Sequence, residues 1–133
     1  LYFLRPGLVQ GDDLLQGEVR LLPDAKPETV LQALLEGPQS PALLPLLPLG
    51  VKVRSVKQEG GRMTVDFSRE FKGFAGGSNF AYLAVYSVVN TLTELSGVRE
   101  VQILVEGEAV PDFAGVLDLR EPLSRDESLL AKP

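Results

Sequence analysis

The stretch VKVRSVKQEGGRMTVDFS, residues 51–68, predicts a β-hairpin around which the other elements can be placed. Apolar and polar residues alternate on both sides of Gly60-Gly61, and two glycines suit the positive backbone angles of a two-residue hairpin turn. In the second strand, Met63 and Val65 point to one side of the sheet, and the residues between them point to the other. We therefore expect one face of the sheet to be core and the other to be polar.

The polar face of this hairpin provides a first set of candidate contact residues. They are the side chains that alternate away from the core, with one more from the next predicted strand: Lys52, Arg54, Thr64, Asp66 and Gln102. No predicted helix remains to cover this face, because both helices are needed on the apolar side. The face is therefore expected to be open to a partner.

Two segments have the apolar spacing of helices. Residues 27–36 begin with proline and end at a Gly-Pro pair, which predicts a short amphipathic helix. Residues 79–95 follow a glycine-rich stretch, with Ser78 or Asn79 as the expected N-cap and Gly97 as the stop. This second segment predicts a longer helix.

The remaining segments predict short strands and loops. Alternating apolar residues predict a strand at 98–106, and two further short strands are expected at 1–4 and 18–22. The stretch SPALLPLLPLG, residues 40–50, has three prolines and is predicted to be an apolar loop packed on the core. Residues 107–133 are expected to be mostly turns and extended chain.

These elements predict an α+β fold in a single domain that spans residues 1–133. Its core has the order helix, strand, strand, helix, strand, with both helices packed on one face of a small sheet. Short extra N-terminal strands and an extended C-terminal segment complete the prediction.

The long predicted helix lacks a charged face. At about 100° per residue, one half is apolar, and it consists of Phe80, Ala81, Ala84, Val85, Val88, Val89, Leu92 and Leu95. The other half carries a stripe made of Tyr82, Tyr86, Asn90 and Thr93, joined by Ser87 and Glu94 and interrupted by Leu83. Such a face is expected to be covered, because exposed helices usually carry Lys, Glu and Arg. The cover is either the chain's own N-terminal strand or proline-rich loop, with Asn90 bonding a loop backbone, or a partner molecule.

Composition excludes several classes of function. The net charge is -5, and no dense Lys/Arg run is present, which argues against a protein that binds the phosphate backbone of nucleic acids. The chain has no cysteine and no histidine, so disulfides, thiolate zinc sites and histidine bases are excluded. Only carboxylates, oxygen-ligated metals, lysines and serines remain for catalysis.

No catalytic or cofactor motif is complete. The glycines before the long helix, Gly73, Gly76 and Gly77, are not followed by the Lys of a phosphate-binding loop. Acidic pairs such as Asp12-Asp13 lack the spacing of a calcium loop, and no GxSxG nucleophile motif occurs. We therefore predict a protein that is not an enzyme and has no cofactor and no bound metal.

The sequence begins Leu1-Tyr2-Phe3 without an initiator methionine, which indicates a processed or shortened chain. No run of about 18 uninterrupted apolar residues is present, so no membrane span is predicted within it. A membrane contact would therefore depend on an anchor that precedes this sequence.

The motifs and their order resemble those of the GerMN domain of bacterial sporulation, germination and envelope lipoproteins. The resemblance rests on LLEGP (34–38), GGRMTVDFSREF (60–71), VVNTLTELSGVREVQILVEGE (88–108) and the closing GVLDLREPLSRDESL (115–129), and it covers nearly the whole chain. It implies an extracytoplasmic domain behind a lipoprotein signal or a membrane helix. It also implies a fold similar to ring-building motifs, which stack side by side in sporulation channel complexes, and no catalytic residues.

Two functions follow as hypotheses. The first is a non-enzymatic assembly or scaffold domain of the cell envelope that contacts envelope proteins or copies of itself. Its contact surfaces would be the polar sheet face and, if exposed, the stripe of Tyr82, Tyr86 and Asn90. The second is a peptidoglycan-binding accessory module of a cell-wall hydrolase system, in which the two tyrosines would stack on a saccharide.

Overall fold

The computed structural model describes residues 1–6, 14–48, 50–73, 78–113 and 117–130. In chain order the elements are β1 (Tyr2–Arg5), β2 (Leu14–Gly17), α1 (Pro27–Glu36), β3 (Val53–Glu59), β4 (Arg62–Phe67), α2 (Ser78–Leu92), β5 (Glu100–Val105) and β6 (Leu123–Ser124). This is an α+β fold, and its core order α1-β3-β4-α2-β5 is the predicted one.

The main sheet has the order β3-β4-β5-β6. The predicted hairpin is confirmed, since β3 and β4 pair antiparallel through the turn at Gly60-Gly61. Only Gly60 of the two has a positive φ, +60°, as a type II′ turn requires. Helix α2 then carries the chain across to β5, which pairs parallel with β4. The sheet is therefore mixed, with a parallel pair at its centre.

The main core lies between the helices and one face of this sheet. Met63, Val65 and Phe67 of β4 are fully buried there, as predicted, against side chains of both helices. Phe71, in a 3₁₀ turn after β4, stacks on Phe67 with ring centroids 4.4 Å apart. Full burial of each such side chain contributes roughly 1.5–3 kcal/mol, so this layer dominates the stability of the fold.

A second apolar cluster lies on another side of α2. It joins the β1-β2 hairpin, the proline-rich loop and the helix, and its buried members are Leu4, Leu15, Leu46, Leu83 and Ala84. Leu4 and Leu44 exchange backbone hydrogen bonds of 3.0 and 2.9 Å, which hold the loop beside β1. The prediction that this apolar loop packs on the core is confirmed.

The strand predicted at 18–22 is wrong. The second N-terminal strand is β2, which pairs with β1 through Gly17, and the N–H of Glu18 donates to the carbonyl oxygen of Leu1 at 2.7 Å. Residues 18–22 pair with no strand among the described residues, and Val19 and Leu21 are 98% and 97% exposed. Arg20 points inward between these two exposed residues because it bonds other parts of the chain, and not because the segment belongs to a sheet.

Arg20 ties this segment to the end of α1. Its guanidinium donates to the carbonyl oxygens of Gly37 at 3.0 Å and Ala33 at 3.4 Å, and it contacts the carboxylate of Glu18. Glu18 also accepts backbone N–H groups of Gln39 and Ser40. Burial opposes the charge of Glu18, but these N–H groups and the guanidinium outweigh burial and hold the pKa of Glu18 below its ordinary value.

Glu18→Gln is expected to lower the free energy of unfolding by about 1–2 kcal/mol at neutral pH, because charge-assisted hydrogen bonds are lost from a side chain only 11% exposed. A carboxyl whose pKa is lower in the folded state than in the unfolded state stabilises the fold at pH values above its unfolded pKa. This stabilisation is lost as the pH falls through the folded pKa. The difference between the two proteins should therefore shrink on acidification below about 4.5. Urea unfolding at several pH values measures it. A difference that is constant with pH would contradict this account.

Helix α2 begins and ends close to the predicted bounds. The helix begins at Ser78, one residue before the predicted start. The helix tightens at its end, where Leu95 N–H bonds Leu92 O at 3.0 Å, and Gly97 stops it with φ of +80°. Two predicted features lie outside the described residues. They are Gly76 and Gly77 of the glycine-rich stretch, within 74–77, and the acidic pair Asp12-Asp13, within 7–13.

Candidate interaction surfaces

The stripe on α2 is largely covered by the chain itself. Asn90 is 0% exposed. Its amide nitrogen donates to the backbone oxygen of Asp126 at 3.0 Å, and its amide oxygen accepts the N–H of Asp126 at 3.0 Å. Arg125 donates to the carbonyl oxygen of Asn90 at 3.0 Å. Asn90 therefore fastens the C-terminal segment to α2, and its predicted place in a contact surface is corrected.

The N-terminal strand covers the neighbouring part of α2. The hydroxyl of Ser87 donates to the carbonyl oxygen of Tyr2 at 2.6 Å, and the N–H of Tyr2 donates to the hydroxyl of Thr91 at 3.1 Å. Ser87 and Thr91 are both buried. These two hydroxyls replace strand partners for β1, which explains why uncharged polar residues stand on this helix.

A cluster of polar side chains joins both terminal segments to the end of α2. The hydroxyl of Tyr2 donates to the carboxylate of Glu94 at 2.8 Å and accepts from Arg125 at 2.7 Å. Arg125 also lies 2.9 Å from that carboxylate. Burial raises the pKa of Tyr2, which keeps its hydroxyl protonated as a donor. Because Glu94 is half exposed, this ion pair adds little to stability, at most about 1 kcal/mol.

Tyr82 and Tyr86 stay partly exposed, as do Thr93 and Glu94 at the other end of the stripe. Their ring centroids are 5.0 Å apart, and the ring planes are tilted by 40°. Burial raises the pKa of Tyr86, and a hydrogen bond between the two side chains raises it further. The two rings contact each other, and Tyr86 also packs against both apolar clusters.

The predicted residues of the sheet face fall into two groups, and the first is bonded within the chain. Asp66 is 8% exposed, accepts the N–H of Gly107 at 2.9 Å and lies 3.3 Å from the guanidinium of Arg54. Gln102 donates to the carbonyl oxygen of Leu119 at 2.7 Å, so the C-terminal segment reaches this face. The prediction that Asp66 is exposed is wrong, because it anchors the turn after β5.

The second group remains accessible. Lys52 is exposed just before β3, and its backbone N–H donates to the hydroxyl of Ser68 at 2.8 Å. Thr64 lies near the centre of the outer face, half-buried, in register with Lys57 on one side and Gln102 on the other. Thr64 is thus the predicted residue with the most central position on the open face.

Sequence reasoning missed several residues of the outer face. A β-bulge between Val53 and Ser55 shifts the alternation of β3 by one residue. The outer face therefore continues through odd-numbered positions, and it carries Ser55, Lys57 and Glu59, with Arg62 and Glu100 beside them. Ion pairs join Lys57 to Glu59 at 2.8 Å and Arg62 to Glu100 at 3.0 Å. The sequence gives no local signal for the bulge.

The structure does not bring the predicted residues into one site. The helix stripe and the sheet face lie on opposite sides of the main core, because α2 packs on the inner face of the sheet. Within the described ranges, no group of three or more Asp and Glu side chains is placed to hold a metal ion. No helix in those ranges is long and apolar enough to cross a membrane.

These features define a small α+β domain with two helices on one face of a mixed sheet and an open polar face on the other. The sequence model of the Germane family, described as sporulation and spore germination, matches residues 1–111. The chain belongs to this family, and the predicted GerMN identity is confirmed.

Solved structures agree with this assignment. The tandem GerMN domains of the sporulation protein GerM from Bacillus subtilis superpose with a TM-score of 0.75 at 26% identity, covering 98% of this chain and 46% of that one. The first GerMN domain of the same protein gives 0.70 at 26%, covering 93% and 95%. A protein provisionally described as a lipoprotein, from Clostridium perfringens, gives 0.67 at 21%, covering 96% and 86%. The last similarity concerns the fold alone.

The chain spans less than half of the tandem GerM structure and nearly all of the structure of a single GerMN domain. No curated protein matches the chain.

Proposed function

We propose that this chain is a non-enzymatic assembly domain that works outside the cytoplasm in the bacterial cell envelope. It acts by contacting envelope proteins or copies of itself, and its membrane attachment is supplied by an N-terminal anchor beyond this sequence. Membership in the sporulation and spore germination family supports this setting. The similarity to GerM, a sporulation protein with two such domains in tandem, supports a role in which domains stand side by side.

The outer face of the central β4-β5 pair is the observation that carries the proposal. Parallel strand pairs are usually covered on both faces, because the connecting helices pack on them. Here both described helices pack on the inner face, and no described helix covers the outer one. A parallel pair with one face open is typical of a surface that another molecule completes.

The charges on this face suit a specific contact. Lys57, Glu59, Arg62 and Glu100 alternate in sign across three strands. Alternating charges favour one relative orientation of two partners and oppose others, because like charges repel. The face therefore supports an ordered contact and disfavours non-specific aggregation.

The second function predicted from the sequence, a saccharide-binding module, would use Tyr82 and Tyr86 as stacking platforms. A sugar ring stacks on an aromatic face that is open to solvent. The two tyrosines are instead half-buried and tilted against each other at 5.0 Å between centroids. We therefore retain the assembly function as the proposal.

Thr64→Glu is expected to weaken self-association at least about tenfold, because it places a new negative charge at the centre of the outer face. The measurement is sedimentation of the chain over a concentration series, together with cross-linking after N-terminal attachment to lipid vesicles, which raises its local concentration. The free energy of unfolding should change by no more than about 0.5 kcal/mol, since Lys57 lies directly opposite position 64.

Ser96→Glu is the matched control. It makes a closely similar change, from hydroxyl to carboxylate, at an exposed loop position after α2, and association should stay at the wild-type level. The proposal is wrong if the unmodified chain stays strictly monomeric on vesicles and retains no protein from an envelope extract. Equal weakening by both substitutions would remove the outer face as the contact surface.

A further inference from the structure

A groove runs between α1 and the free edge of the main sheet. Residues from both ends of the helix line one wall, and residues 51–56 line the other. The groove has a volume of about 710 Å³. Its lining extends from Glu28 to Glu36, so it follows nearly the whole of α1.

The strand wall of this groove is an unpaired edge. β3 is the first strand of the sheet and pairs only with β4, so one row of its backbone N–H and C=O groups faces outwards. No described residue forms a backbone hydrogen bond with that row. Free groups of this kind are a template for an added strand.

The helix wall is acidic, and the floor is apolar. Glu28, Gln32 and Glu36 recur every four residues along the exposed side of α1, and neither glutamate forms an ion pair with any described residue. Leu35 and Val53 are half-buried and lie between the walls. The strand wall also carries Lys52 and Arg54, and Arg54 lies 3.3 Å from Asp66 of the outer face. An occupant must therefore present positive charge to α1 and an apolar side chain to Leu35 and Val53.

The spacing of the glutamates matches that of an extended strand. Glu28 and Glu36 are eight residues apart, which is about 12 Å along a helix at roughly 1.5 Å per residue. Side chains on one face of a strand that are four residues apart are separated by about 13 Å. Basic residues at positions i and i+4 of an added strand would thus reach the two carboxylates together, and position i+2 would lie near Gln32, midway between them.

A single peptide strand fits this edge better than a second copy of the sheet. The bulge between Val53 and Ser55 twists the edge, and Lys57 places a charge further along it. Both features oppose the flat pairing of two sheets. A flexible peptide can follow the twist, because it has no sheet of its own to align.

We propose that the groove binds an extended segment of a partner protein, which adds a strand to β3. Its Lys or Arg residues at i and i+4 pair with Glu28 and Glu36, and an apolar residue at i+2 lies over the floor of the groove beside Gln32. The site rests on the proposed assembly function and narrows it to one partner chemistry. It is separate from the outer sheet face, which is free to contact another copy.

The test is calorimetric titration of the chain with the blocked peptide Thr-Lys-Thr-Val-Thr-Lys-Thr. We expect saturable binding that weakens as salt is raised, because the glutamates are exposed and their attraction is screened. A peptide with Glu in place of both lysines should not bind. Absence of binding by the lysine peptide would overturn the inference.

Charge reversal on the helix provides the second arm. Glu28→Lys combined with Glu36→Lys should weaken binding at least about tenfold. The matched control is Glu108→Lys combined with Glu121→Lys, which changes the net charge equally at exposed positions away from the groove. Equal weakening by the two double variants would mean that only net charge attracts the peptide, and the site would be refuted.

Peptide methylation tests the strand ladder directly. Alternate amides of a strand point to the same side, so N-methylation of the odd or of the even positions blocks one side only. One of the two methylated peptides should lose at least about tenfold in affinity, and the other should keep it. If both bind equally, no strand is added and the proposal fails.

Self-association separates this inference from the proposed function. If the chain associates through the outer face but does not bind the peptide, the groove proposal fails and the assembly function stands. If it does neither, both fail. If the peptide binds and leaves association through the outer face intact, the groove proposal is supported as a separate site.

Discussion

Asn90→Asp is expected to lower the free energy of unfolding by about 3–5 kcal/mol at neutral pH. The two side chains have nearly the same shape, so the change alters hydrogen bonding and charge but not packing. An ionised carboxylate cannot donate to the backbone oxygen of Asp126, and it places a negative charge at a position that is 0% exposed. The loss should be measured by urea unfolding.

The same substitution should give a pH dependence of known sign. Burial raises the pKa of a carboxyl at position 90 above the unfolded value of about 3.9, so the folded state binds the extra proton. Stability then falls as pH rises through this interval, and the defect is smallest in acid. The protonated carboxyl can also donate to Asp126 again, which restores one of the two hydrogen bonds.

Thr93→Val is the control for Asn90→Asp. Thr93 lies on the same stripe, and its hydroxyl donates to the carbonyl oxygen of Val89 at 2.9 Å, within the helix only. Its loss should cost no more than about 1 kcal/mol and show no pH dependence. A small and pH-independent effect of Asn90→Asp would mean that the C-terminal segment is not held by position 90.

Local patterns in the sequence were enough for the core elements. The hairpin needed only the alternation around Gly60-Gly61, and the helices needed only apolar spacing with Pro27 and Gly97 as boundaries. Each of these signals acts within a few residues of chain. The strand wrongly predicted at 18–22 depended instead on pairing with a distant segment, but β1 pairs with residues 14–17.

The cover of α2 could be predicted, but its identity could not. Uncharged polar residues on the helix indicated that something lies over them. The structure shows that the cover includes the N-terminal strand, through Ser87 and Thr91, and the C-terminal segment, through Asn90. These contacts join residues 36 to 89 positions apart, and no short-range pattern encodes such a pairing.

The sequence predicted that one sheet face is polar, but it did not predict all of the residues exposed there. The alternation of β4 identified the polar side correctly, since Thr64 lies on it. Because of the bulge in β3, Lys57 and Glu59 are exposed charged residues of the outer face. Asp66 instead accepts a hydrogen bond from the turn after β5. Both errors arise from backbone geometry that depends on neighbouring strands, so the order of side chains alone could not reveal them.

Leu83→Ala is expected to lower the free energy of unfolding by about 2–4 kcal/mol, because it leaves a cavity where a 2% exposed leucine contacts the second apolar cluster. The sequence marked Leu83 only as an interruption of a polar stripe. In the structure it packs with Leu4 and Leu15 and so joins the β1-β2 hairpin to α2. The β1-β2 hairpin should therefore open more readily than the main sheet.

Hydrogen exchange can locate this defect. The N–H groups of Leu4 and Leu44 bond each other's carbonyls across the hairpin and the loop, so their protection should fall more than that of Ile103 in the main sheet. Leu21→Ala is the matched control, because it makes the same substitution at a side chain that is 97% exposed, and it should change stability by no more than about 0.5 kcal/mol. Equal loss of protection in hairpin and sheet would mean that the two clusters unfold as one unit, whereas a selective loss would make the hairpin a separately releasable cover of α2.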